Sequence, residues 1–243
     1  MEALPSGRAA SRSSMSKTMT SDSLRRRTLN LLRARARRLG PGLSAGEIAA
    51  LEARAGVPYS ESFRGLIREV GWYETASVGQ VWLAPNSDQP SLAVWEDELF
   101  PRAFAIALNY CGAPWFLTFD GLTGEEGAVL LDVPDLGGVY THFESIDDFV
   151  SATLEANGDK IGRIESQIPY KRQWPLLGMD FDAAMTYGDE AVREMAKKCG
   201  KGGRVFDLGR PHAFLPLDYI QETGRTCIRD PHAPIFGYFK GAD

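Results

Sequence analysis

Between Ser44 and Leu154 the spacing of the apolar residues changes twice, and this double change limits the available folds more than any other feature. Ile48, Leu51 and Ala55 recur on one helical face, and Phe63, Leu66, Ile67 and Val70 then fall at i, i+3, i+4 and i+7. From residue 78 the period drops to two. VGQVWLA reads as a strand, and AFAIALN alternates, with Phe104, Ile106 and Leu108 on one side and Ala103, Ala105 and Ala107 on the other. PWFLTFD, AVLLDV and VYTHF follow as strands, separated by the turns NYCGAP, DGLTGEEG and PDLGG. Helical spacing returns in SIDDFVSATLEANG, where Ile146, Phe149, Val150, Thr153 and Leu154 share a face. Two helices, a run of strands on short turns and a closing helix predict an α+β fold with an antiparallel sheet packed against helices. The small alanine face predicts a closely packed neighbour, read as a helix.

Local chemistry sets the helix ends. Ser44 and Glu47 form a capping box, in which the hydroxyl takes the N3 amide and the carboxylate reaches back to the cap amide. Gly56 supplies a left-handed stop, and Pro58 forces an elbow, because it cannot continue a helix and biases Val57 towards extended backbone. Ser60 or Ser62 caps the second helix. Glu52, inside the first helix, is read as a structural partner of Arg54, Arg64 or Arg68.

Charge is distributed unevenly. Residues 1–40 carry ten Arg or Lys against Glu2 and Asp22, whereas residues 41–243 carry 17 basic and 30 acidic side chains, a net of −13. Residues 1–40 read as a disordered basic arm, since the Ser-, Ala- and Arg-rich leader has nothing to bury. Within it, SLRRRTLNLLRARARRL could form a basic helix with a thin stripe of Leu24, Leu31, Leu32 and Leu39, able to touch nucleic acid, anionic lipid or an acidic partner. An organellar transit peptide is the further alternative for this arm. The longest uncharged run, 103–119, is 17 residues and is broken by Asn109, Gly112 and Pro114, so no membrane span is expected. The three cysteines, Cys111, Cys199 and Cys227, lack metal-type pairing and suit a reducing compartment, so the expected location is cytoplasmic.

Residues 159–243 read as a C-terminal α+β extension of the first domain, with a connector at IPYKRQWPLLG and a helix at GDEAVREMAKKCG. RVFDLG, AFLPLDYI and IFGYF are expected as short strands. Cys199, His212, Cys227 and His232 invite a zinc reading, but spacings of 13, 15 and 5 lack the clips that preorganise a tetrahedral site, so no metal and no cofactor are expected. No phosphate loop, nucleophile elbow or HExxH is present, so no catalytic residue is assigned.

Three phrases carry a family resemblance: LSAGEIAALEARAGVPYSESFRGLIREVGW at 43–72, AFAIALNYCGAPWFLTFD at 103–120 and VYTHFESIDDFVSATL at 139–154. Their order and spacing resemble the SUKH superfamily, the Smi/Knr type domain, over a domain placed at 41–158. The resemblance implies a non-enzymatic binding module. Many such proteins are bacterial immunity proteins that cap toxins, often nucleases, and others are regulatory scaffolds linked to fungal cell-wall assembly. The expected partner is a protein, a basic toxin domain, with no direct nucleic acid or membrane contact.

A toxin inhibitor of this kind must occupy a basic cleft, which an acidic surface can do in place of phosphates. The candidate partner-binding residues are therefore Trp95, Glu96, Asp97 and Glu98, where an aromatic sits beside three carboxylates, and Asp120, Glu125 and Glu126 around the 121–127 loop. Trp72 and Glu74, after the second helix, complete the set, with a core role as the alternative for Trp72 and Tyr73. A regulatory scaffold, or an enzyme or metal activity in the C-terminal segment, are the alternatives.

Overall fold

A computed structural model describes residues 21–56, 58–84, 100, 103–108, 112–120, 123–133, 137–155, 169, 171–210 and 212–240. The chain opens with α1 (Ser21–Arg35) and β1 (Arg38–Leu39), then α2 (Ala45–Ala55), α3 (Glu61–Glu69), β2 (Trp72–Thr75) and β3 (Gly79–Trp82). β4 (Phe104–Leu108), β5 (Pro114–Phe119), β6 (Glu126–Val133) and β7 (Gly138–Phe143) form the meander, closed by α4 (Ile146–Glu155). A 3-10 turn (Lys171–Leu176), α5 (Phe181–Met185), α6 (Glu190–Cys199), β8 (Arg204–Asp207), β9 (Phe214–Leu215), α7 (Leu217–Glu222), β10 (Arg225–Arg229) and β11 (Ile235–Lys240) complete it. Every described strand pair is antiparallel, in sheets ordered β1-β2-β3, β4-β5-β6-β7-β9 and β10-β11-β8. The molecule is thus α+β, with antiparallel sheets packed on helices.

The helix ends follow the local signals. Ser44 Oγ accepts from Glu47 N at 3.3 Å while Glu47 Oε2 accepts from Ser44 N at 2.7 Å. Gly56 ends α2 at φ +71°, a left-handed conformation without steric cost only for glycine. Ser60 Oγ accepts from Phe63 N at 3.1 Å and starts α3, whose Phe63, Leu66 and Ile67 are buried. Between the helices, Glu52 Oε1 accepts from Tyr59 N at 2.7 Å and from Arg64 Nε at 2.6 Å, so of the three expected arginine partners Arg64 holds it.

The five-stranded sheet is covered on both faces. On one, the cross-strand row Trp115, Leu131 and Tyr140, with Phe104, Ile106 and Leu117, meets Leu32 of α1, Phe63 and Ile67 of α3 and Phe149 of α4. On the other, Ala103, Ala105, Phe116, Ala128 and Leu130 meet Phe206, Phe236 and Tyr238 of the β10-β11-β8 sheet and Ile220 of α7. That second sheet turns its far side, through Val205 and Ile235, to Ala184 of α5 and Met195 and Cys199 of α6. A Cβ on Gly237 of β11 would overlap Cys199 Sγ, which is how closely α6 approaches. The resulting order is helices, sheet, sheet, helices.

Several expectations are corrected. The alanine face is covered mainly by a sheet rather than a helix, because the C-terminal segment folds back and adds β9 beside β7. The strict alternation in β4 breaks at a register shift between Ala105 and Ala107, which turns Ala107 to the helix side and leaves Leu108 39% exposed. AFLPLDYI yields the two-residue β9 and then α7, and the expected tail strands omitted β10. Residues 21–39, expected within a disordered arm, form α1 and β1; residues 1–20 lie outside the described residues. α1 is anchored by Leu32, fully buried, and by Arg25 and Thr28, also buried, rather than by a stripe of Leu24, Leu31, Leu32 and Leu39. Leu39 is 41% exposed.

Candidate protein-binding surface

The best-defined acidic feature is the β5–β6 turn, seated on the α2–α3 elbow. Ser60 N donates to Gly124 O at 3.0 Å, and Gly124, at φ +67°, lies so close to the Pro58 carbonyl that a Cβ there would overlap it. Tyr59 stacks on Phe119 with ring centroids 4.8 Å apart, fastening the end of β5 to the same elbow. Within the turn, Asp120 Oδ1 accepts from Thr123 N at 2.6 Å and from Thr123 Oγ1 at 3.0 Å. Asp120 N in turn donates to Glu125 O at 2.8 Å. Asp120 is half-buried and shapes the loop, while Glu125 is exposed on a fixed backbone.

Glu126 points the other way. Successive residues entering a strand face opposite sides, so the Glu125–Glu126 pair is split between solvent and interior. Glu126 forms an ion pair with Arg25, their side chains 12% and 7% exposed, and accepts from Ser60 Oγ at 3.0 Å. Arg25 also lies 3.4 Å from Asp147 Oδ1 and donates from Nε to Ser62 Oγ at 3.2 Å, while Thr28 Oγ1 donates to Asp147. Desolvation lowers the Arg25 pKa from its ordinary value, opposed by the Asp147 charge. Glu126 is therefore an internal ligand of α1, and its assignment to an exposed acidic cluster is corrected.

Trp72 and Glu74 lie on the outer side of β2, beside β1 in the same sheet. Trp72 packs beside Trp82 at 5.8 Å and against Gly40, with the Arg38 guanidinium 5.7 Å from its ring. Glu74 lies 3.9 Å from Arg38, its register partner. Both are half-buried, and Tyr73 between them is fully buried, its hydroxyl 2.9 Å from Thr153 Oγ1. Trp95, Glu96, Asp97 and Glu98 lie outside the described residues.

A row of rings on the helix-covered face was not singled out from the sequence. Trp115 Nε1 donates to His142 Nδ1 at 3.0 Å, which places the imidazole proton on Nε2. Burial, helped by His212, holds His142 down at about 4, so the ring is neutral near pH 7. The Tyr140 hydroxyl lies 2.5 Å from His212 Nδ1, and burial pushes this phenol up to about 12. The signal available was spacing: Tyr140 and His142, two apart in one strand, face the same side. Near neutral pH His142 is uncharged and Tyr140 keeps its proton, and the Tyr140–His212 contact ties the approach to β9 onto β7.

Cys199 is buried on α6, where burial pushes its thiol up to about 11. Among the described residues, no group of three or more His, Cys, Asp or Glu side chains stands together as a metal site. Among them, too, no helix is long and apolar enough to cross a membrane. Compared with protein-family models, with curated proteins and with solved structures, the chain shows no match.

Proposed function

We propose that this protein is a non-enzymatic, SUKH-like protein-binding module, an immunity protein acting in the cytoplasm that neutralises a toxin by covering its basic active cleft. The observation that carries this reading is the mounting of the β5–β6 turn on the α2–α3 elbow, which holds Glu125 outward on a backbone fixed by Ser60, Gly124 and Asp120. A fixed backbone lowers the conformational entropy cost of ordering Glu125 on a cation, and its charge adds to the field of a body with a net charge of −13. The sequence resemblance over 41–156 points to the same class of function. In the sequence, Trp95 with Glu96, Asp97 and Glu98 offers an aromatic anchor beside charge, the composition that partner surfaces use.

The test is co-expression with a secreted toxin encoded beside this gene. Rescue of growth, together with a stable complex of the two purified proteins, is expected. Neither rescue nor complex would overturn the reading. Rescue by catalytic destruction of the toxin, seen as its cleavage or modification, would replace the binding module with an enzyme.

A further inference from the structure

We propose that the outward side of α1, with its run into β1, is a binding surface for the phosphodiester backbone of single-stranded nucleic acid. This surface is separate from the acidic turn, and the proposal departs from the expectation, drawn from the acidic body, that nucleic acid is no direct partner. From Ser23 to Gly46 there is no Asp or Glu, while Arg25, Arg26, Arg27, Arg33, Arg35, Arg37 and Arg38 fall within this stretch. A free basic segment of this kind would be a diffuse counterion. Docking changes that, because Arg25, Thr28 and Leu32 turn inward and fix the register of the helix, leaving the other six arginines exposed.

Arg33 and Arg38 are partly neutralised by Glu69 at 2.7 Å and Glu74 at 3.9 Å. Arg26, Arg27, Arg35 and Arg37 make no ion pair among the described residues. On the outward side of the helix Arg26, Arg27 and Arg33 span roughly 10 Å at 1.5 Å per residue, and Arg35 and Arg37 follow at its exit, a set of guanidinium forks suited to paired phosphate oxygens. Beside its end, Trp72 and Trp82 stand 5.8 Å apart, half-exposed, with Arg38 over Trp72. Aromatic rings next to a basic track are the combination that stacks unpaired bases while holding their backbone.

A lipid surface fits less well. Leu29 and Leu32 face the core, and the exposed positions of α1 between its arginines are Asn30 and Ala34, so on this surface Leu39 of β1 is the one exposed large apolar side chain among the described residues, too little for an apolar face to insert.

The test uses the full chain and a fluorescent oligothymidylate, followed by anisotropy over a range of salt. With four unpaired arginines engaged, log K should fall against log salt with a slope of about −3. R26E/R27E/R35E/R37E should weaken binding at least about tenfold at low salt with an unchanged denaturation midpoint, and the matching all-lysine variant should keep most of the slope. No binding at low salt, or binding unchanged in the glutamate variant, would overturn the proposal. So would tighter binding to phosphatidylserine vesicles or to polyglutamate than to the oligonucleotide. Equal affinity for a duplex of the same length would overturn the single-strand assignment.

Discussion

The five-stranded sheet turns Phe104, Ile106, Trp115, Leu117 and Tyr140 to helices on one face, whereas on the other Ala103, Ala105 and Ala128 lie under the rings of Phe206, Phe236 and Tyr238. Polar groups are set among the large residues on the helix side: Arg25, Asp147 and Glu126 at one place, His142 hydrogen-bonded to Trp115 at another. The sheet-on-sheet face holds no such cluster of buried charges among the described residues; its fit depends on small residues on one layer meeting large rings on the other. The helix side should therefore be sensitive to charge and pH, and the sheet side to volume.

The sharpest test of that contrast is Arg25→Ala. It leaves Asp147 and Glu126 buried without their cation, and denaturant unfolding should show a loss on the order of 3–5 kcal/mol. Adding Glu126→Gln and Asp147→Asn should restore much of it, because a buried ion cluster costs nearly as much to desolvate as its attraction returns. A loss confined to a few tenths of a kcal/mol would mean that α1 is not part of the core.

Next in size is an acid transition on the same face. His142 sits at about 4 in the folded protein against an ordinary 6.5, so between those values the unfolded chain binds a proton that the native state does not. Stability should fall as pH drops from about 6.5 to about 4, by on the order of 3 kcal/mol in all. His142→Asn should flatten that part of the profile; an unchanged slope would place the sensitivity elsewhere.

On the sheet side, Ala105→Leu should destabilise by about 1–3 kcal/mol through overpacking against the second sheet, with no added pH dependence. A neutral outcome would show that the two sheets are loosely packed. Smallest is Glu125→Lys: exposed on a turn held by its backbone, it should stay within about 0.5 kcal/mol of the parent in stability.

The parts of this architecture that could be read directly were those with local causes. Ser44 and Glu47, Gly56, Pro58 and Ser60 each act within a few residues, so the α2–α3 elbow followed from the sequence, as did the closing helix. The basic helix was legible as a possibility but its docking was not, because the inward face of α1 carries Arg25 and Thr28, whose charged partners Glu126 and Asp147 lie more than 100 residues away, and a search for leucines picks the wrong stripe. The alanine face signalled close packing correctly but could not say whether a helix or a sheet would supply it. At the candidate surface, Glu125 and Glu126 read alike as a pair of acids, and only the start of β6 separates the exposed one from the buried one.

The most direct measurement is the association rate of the purified protein with the basic toxin domain proposed as its partner, followed across ionic strength. The rate should fall as salt rises and be slower, with a shallower salt dependence, for Glu125→Lys at unchanged stability. A rate indifferent to salt and to Glu125 would contradict the proposed function.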